Sequence, residues 1–230
     1  MDNLTFDLAA TPLREVNGFL HKQARELEGA TVAVLNPNGA HNIAVGLNTP
    51  VNVEIMGHAG YYAAGMNQLA NVTVNGSAGT GVAENMMSGK VHVKGFASNA
   101  AGATAQGGLL VIDGDAGLRC GISLKGADIV VGGSVGSFSG FMAQAGNLVV
   151  LGDAGEALGD SLYEARIFVR GSVKSLGADC EKKAMQAEDR AILATLLERA
   201  GHGDLDPDAF TLYGSARTLY NFHVDNAGAY

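Results

Sequence analysis

A glycine recurs every nineteen residues from Gly57 to Gly171, two aliphatic residues stand at fixed spacing before each one, and the pattern stops abruptly at both ends. These three observations predict an all-β fold: a single-stranded, right-handed parallel β-helix of about seven 19-residue turns, with an N-terminal helix and a C-terminal helical extension. The chain divides accordingly into a helical cap over 1–30, the coil over 31–180 and a helical tail over 181–230.

The ladder runs Gly57, Gly76, Gly95, Gly114, Gly133, Gly152, Gly171 without insertion or deletion. Each glycine closes a short extended segment such as VNVEIMG, KVHVKG or RIFVRG, rich in β-branched residues. Four residues before it stand Val53, Val72, Val91, Leu110, Ile129, Leu148 and Ile167; two before stand Ile55, Val74, Val93, Ile112, Val131, Val150 and Val169. Alternate positions of a strand face one way, so both columns point to the interior. A 19-residue unit cannot bury its own apolar face, so the copies must stack, at about 4.8 Å per turn, into a rod roughly 34 Å long.

Beyond each ladder glycine a small residue follows two places on: Ala59, Ala78, Ala97, Ala116, Val135, Ala154, Val173. The pattern G-x-A-G-x-x-x-G is clearest at Gly114, Gly117, Gly121, then Gly133, Gly136, Gly140, then Gly152, Gly155, Gly159. Glycine at fixed phases is expected where the chain turns with positive φ, or where adjacent turns approach too closely for a Cβ. An earlier, imperfect turn is expected at Val32–Leu35, with Asn38 at its corner in left-handed conformation.

Open strand edges at the ends of such a rod need covers. Thr11 and Pro12 can start a helix whose stripe is Leu13, Val16, Phe19, Leu20 and Leu27. Ala184 to Ala200 reads as a second helix with Ile192, Leu193, Leu196 and Leu197 apolar and Gly201 as its cap, and another is expected from Asp206-Pro207. The Tyr-rich segment from Tyr213 to Tyr230 is expected to dock. Between the two buried columns, the outward column changes from Glu54, Thr73 and His92 to Val111, Val130, Val149 and Phe168. Those last four need a cover, either the chain's own C-terminal helices or a partner subunit.

Composition excludes several function classes. With 23 acidic against 15 basic residues and a net charge of −8, the chain is a poor ligand for nucleic acid or an anionic membrane. It contains no run of 18 apolar residues, and Met1-Asp2-Asn3 does not open a signal peptide, so a cytoplasmic location is expected. Cys120 and Cys180 have no partner at metal-ligand spacing, and His21, His41, His58, His92, His202 and His223 form no ligand pair. Asp113, Asp115, Asp128, Asp153, Glu156, Asp160 and Glu164 fall mostly at turn phases, where carboxylates bond local backbone. Cys120 shares a column with Ala63, Val82, Ala101, Ser139 and Leu158, a packing position. No glycine motif leads from a strand into an amphipathic helix, as a nucleotide cradle requires. Hence no catalytic, cofactor-binding or metal residue is expected in this chain. A free-standing β-helix enzyme on a carbohydrate polymer is the competing reading, but it needs clustered acidic and basic residues on adjacent outward turns, which the columns lack.

With its G-x-x-G-x-x-x-G turns, the stretch from Val51 to Lys174 resembles the GXGXG β-helix family, found at the end of the large subunit of glutamate synthase and in one of the subunits of formylmethanofuran dehydrogenase. The opening Phe6-Asp7-Leu8 with Thr11-Pro12-Leu13-Arg14-Glu15, and the later Tyr213-Gly214-Ser215-Ala216-Arg217, are similar to the small subunits of the N-methylglutamate synthase type. The resemblance implies a scaffold subunit that holds an FMN-binding glutamate-synthase-like subunit and a glutamine-amidotransferase-like subunit. FMN would belong to the partner, and only the structural glycines carry over to this chain.

Overall fold

The structure is a computed structural model that describes residues 4–22, 26 and 28–217. Nine strands stack in chain order, all parallel: β1 (Leu4–Asp7), β2 (Thr31–Leu35), β3 (Asn52–Met56), β4 (Asn71–Val74), β5 (Lys90–Val93), β6 (Leu109–Ile112), β7 (Lys125–Val131), β8 (Ala145–Val150) and β9 (Arg166–Val169). From β3 to β9 the strand residues pair with their equivalents nineteen positions later, as Val53↔Val72 and Val72↔Val91, except where Lys125 pairs with Ala145 across a register shift. The chain therefore coils once per repeat. The expected earlier turn is present, with Val32 paired to Val53 and Asn38 at φ +44°. Both aliphatic columns are buried along the whole rod.

The coil has three sides. The first is the sheet. The second is a ladder of single parallel bridges, Ala59↔Ala78↔Ala97↔Ala116↔Val135↔Ala154↔Val173. The third is built from backbone that alternates through the left-handed region. Tyr62, Ala64 and Met66 have φ of +58°, +53° and +55°, and every later turn repeats this. Alternation points successive N–H groups up and down the rod: Tyr62 donates to Thr80 O at 2.9 Å, Ala64 to Ile43 O at 2.9 Å and Met66 to Glu84 O at 2.7 Å. Inter-turn hydrogen bonds offset a left-handed cost of roughly 1 kcal/mol per residue, so non-glycine residues are retained there.

The two reasons offered for glycine separate by phase. The ladder glycines from Gly76 to Gly171 have no positive φ. They lie directly over the preceding turn: a Cβ on Gly76 would meet the Gly57 carbonyl carbon at 2.7 Å. Left-handed φ belongs instead to the third glycine of the pattern, Gly121 at +67°, Gly140 at +69° and Gly159 at +64°.

The ends depart from the helical caps expected there. β1 falls within the region read as an N-terminal helical cap, yet pairs with β2 as the first strand of the sheet. Helix α1 (Leu13–Lys22) then closes that end with Val16 and Leu20 buried. Its Asn17 amide donates to Asn42 O at 2.8 Å and its carbonyl accepts from Ala44 N at 3.0 Å, satisfying an otherwise open backbone edge. At the other end, β10 (Cys180–Lys183) leads to α2 (Ala187–Ala200) and then β11 (Thr211–Ser215). β11 runs antiparallel to β9 and β10 antiparallel to β11, so reversed strands cover the last edge. The helix expected at Asp206-Pro207 is a single 3-10 turn, Pro207–Ala209. Gly201 caps α2 at φ +91°. Leu27, Tyr220, Phe222, His223 and Tyr230, read as packing or docking residues, lie outside the described residues.

Candidate interaction faces

The apolar outward column is covered by the chain itself. Val111, Val130, Val149 and Phe168 are fully buried against Leu193, Leu196 and Leu197 of α2, with Phe210 and Leu212 completing a second core. Arg199 of α2 reaches Asp128 at 3.2 Å, and Arg166 reaches Asp189 at 3.0 Å, fixing the helix along the rod. This face is not open to a partner.

The polar side chains at the turns serve their own backbone. Ser77 N donates to His58 Nδ1 at 2.9 Å, Ser134 N to Asp115 Oδ1 at 2.7 Å and Ser172 N to Asp153 Oδ1 at 2.7 Å, each nineteen residues apart. The Asp153 carboxyl is held below its ordinary range by these Ser172 bonds, and that of Glu156 by its ion pair with Lys174 at 2.9 Å. Asp113 meets His92 at 2.7 Å. Asp128 also takes the Asn147 amide at 2.8 Å, and Asp160 bonds Ser161 at 2.9 Å and Ala178 N at 3.2 Å. Burial pushes the Cys120 thiol up to about 12, far from a nucleophile's range. Burial, reinforced by Glu181 and Asp160, pushes Cys180 to about 11. Among the described residues no three His, Cys, Asp or Glu side chains converge as a metal site, and no helix is long and apolar enough to cross a membrane.

A cleft of about 820 Å³ lies between the last turn and the terminal strands, lined by Tyr163, Arg166, Lys183, Tyr213 and Arg217 among others. Each of its cations is already held by a carboxylate: Arg166 by Glu188 and Asp189, Lys183 by Glu181 and Arg217 by Asp179. Such pairs leave no preformed anion cradle.

Large apolar side chains gather on the third side. Tyr61, Tyr62, Met66 and Leu69 stand out of one turn, Met87 out of the next, and Phe138 and Met142 further along. Left-handed φ at Tyr62, Met66, Phe138 and Met142 belongs to outward positions of this side. Sequence reasoning missed this face because it followed the aliphatic strands. The signal was nonetheless present: in repeat register, residues 61–70, 80–89 and 99–108 contain one charged residue, Glu84.

Fold and surface together define a capped parallel β-solenoid whose polar groups at the turns bind neighbouring turns and whose third side, over residues 61–70, 80–89 and 99–108, carries Glu84 as its one charged residue. No protein-family model matches the chain, and no solved structure matches it. It is 61% identical over 224 residues to Protein GlxC of Rhizobium meliloti (strain 1021), covering 97% of this chain and 98% of that protein. The chain belongs to the GlxC family.

Proposed function

We propose that this chain is the non-catalytic scaffold subunit of a glutamate-synthase-like complex of the N-methylglutamate synthase type. Methylamine and glutamate would become N-methylglutamate on an FMN-binding subunit, with a glutamine-amidotransferase-like subunit beside it. The observation that carries this reading is the coil itself: a stiff rod bonded turn to turn, with most of its turn carboxylates engaged locally and most of its exposed large apolar groups on one side. The GXGXG resemblance supplies the family of complex, and the end-to-end match to GlxC indicates a relative of the same extent.

The described residues of this chain do not suit the flavin. Its glycines stack on glycines of the neighbouring turn instead of opening a helix N-terminus, and the cleft's cations are engaged. FMN therefore belongs to a partner in this reading, and the chain's part is to set the distance and orientation between subunits. The test is purification of the full chain from its source cells under native conditions. Two larger chains and flavin absorbance should travel with it, and deleting its gene should abolish N-methylglutamate formation. A chain that leaves the cell alone, or a deletion without effect on that product, would overturn the assignment.

A further inference from the structure

We propose that Asn75-Gly76, at the corner where β4 ends, is a self-modification site. The Asn75 side-chain amide closes onto the Gly76 backbone nitrogen and is then hydrolysed, leaving aspartate and β-linked isoaspartate in its place.

The chain holds three Asn-Gly pairs: Asn17-Gly18, Asn38-Gly39 and Asn75-Gly76. Glycine leaves such a ring closure unhindered because it has no Cβ. The nucleophile is the glycine nitrogen after loss of its proton, and a hydrogen bond from that N–H to a carbonyl holds the proton in place. Two of the pairs are protected. Gly18 lies inside α1, and the Asn17 side chain is tied at both ends, to Asn42 O at 2.8 Å and Ala44 N at 3.0 Å. Gly39 N donates to His58 O at 3.0 Å.

The third pair is open. From Gly95 to Gly171 every ladder glycine donates its N–H to the ladder glycine one turn before, at 2.9 or 3.0 Å, whereas the Gly76 N–H has no acceptor among the described residues. The cause is the irregular turn that precedes it. Gly57 lies so close to Pro37 that a Cβ would meet Pro37 Cγ at 3.0 Å; its φ is +147°, and its own N–H bends back to Ile55 O at 3.0 Å. Its carbonyl therefore does not receive Gly76. Asn75 is itself exposed, with Nδ2 donating to Glu54 Oε2 at 2.8 Å.

The step balances without a redox partner. The bond from Gly76 N to Asn75 Cγ forms, the Cγ–Nδ2 bond breaks, and ammonia leaves with the proton that the backbone nitrogen gave up. Water then opens the ring at Cγ, giving aspartate, or at the Asn75 backbone carbonyl, giving isoaspartate. The aspartate product sets a carboxylate against Glu54 in place of the hydrogen bond. The isoaspartate product adds a backbone carbon at a corner where even a Cβ on Gly76 would meet the Gly57 carbonyl carbon at 2.7 Å.

The test is ageing of the purified, folded full chain at mildly alkaline pH in heavy-oxygen water, followed by peptide mapping that separates aspartate from isoaspartate. Asn75 should convert at least about fivefold faster than Asn17 or Asn38, the rate equivalent of one net hydrogen bond. In concentrated urea, where the fold is gone, that lead should disappear. Asn75→Gln, whose side chain is too long for this ring, should abolish the new acid at this corner. Equal rates in the folded chain, or an Asn75 that stays an amide there while all three pairs convert in urea, would overturn the site. A lead that persisted unchanged in urea would assign the difference to local sequence and overturn the structural cause.

Discussion

Gly76 and Gly121 sit in the same repeat pattern for different reasons, and substitution separates them. A Cβ at Gly76 would press on the Gly57 carbonyl, and neighbouring turns cannot part without breaking inter-turn bonds. Gly121 meets nothing closer than Ile129 Cδ1 at 3.4 Å, and Ala64 and Ala83 already hold its phase at φ +53° and +57°. Gly76→Ala should lower stability by about 1–3 kcal/mol, as overpacking does, and Gly121→Ala by about 1 kcal/mol. Denaturant midpoints give the order; a larger loss at Gly121 would contradict the close-approach explanation. Cys120 provides a second residue-level measurement. Below its usual value of 9.0 the thiol is protonated in both folded and unfolded chains. Between 9 and about 12 only the unfolded chain releases the proton, so this thiol makes stability fall with rising pH in that window. Cys120→Ala, matching Ala63 and Ala101 in the same column, should flatten the alkaline part of a melting-temperature profile. Parallel profiles for the two proteins would refute it.

Among the elements, the strands were legible because burial imposes period two within a strand and period nineteen between strands. Helix α2 was legible too, from its helix formers and Gly201. Its seat on Val111, Val130, Val149 and Phe168 was one of two open possibilities, because an apolar outward column looks the same whether the chain or a partner covers it. Leu197→Asp places a carboxylate in that second core, at a cost of several kcal/mol if the helix stays docked. The expected outcome is release of α2, seen as binding of a hydrophobic dye and self-association, with the β signal of the coil preserved. Retention of a dye-silent monomer would show that α2 is not the cover that matters. β1 and β11 were not legible. LTFD and TLYGS are too short for periodicity, and only the unsatisfied edges of the stacked coil give them partners.

For the molecule as a whole, the sequence of this chain dictates a coil of one turn per nineteen residues, because aliphatic columns at that spacing have no other way to leave water together. It also dictates which glycines must be small, since a repeat that stacks brings each phase onto its own copy. Three matters were decided only by the tertiary structure. Reversed strands close the C-terminal end, because an edge is created by stacking and exists nowhere in a single repeat. The apolar outward column is satisfied internally, because α2 folds back across four turns that are distant in sequence. The third side becomes one surface, poor in charge over residues 61–108, because left-handed backbone at alternate positions aligns residues from successive turns that no local pattern marks as neighbours.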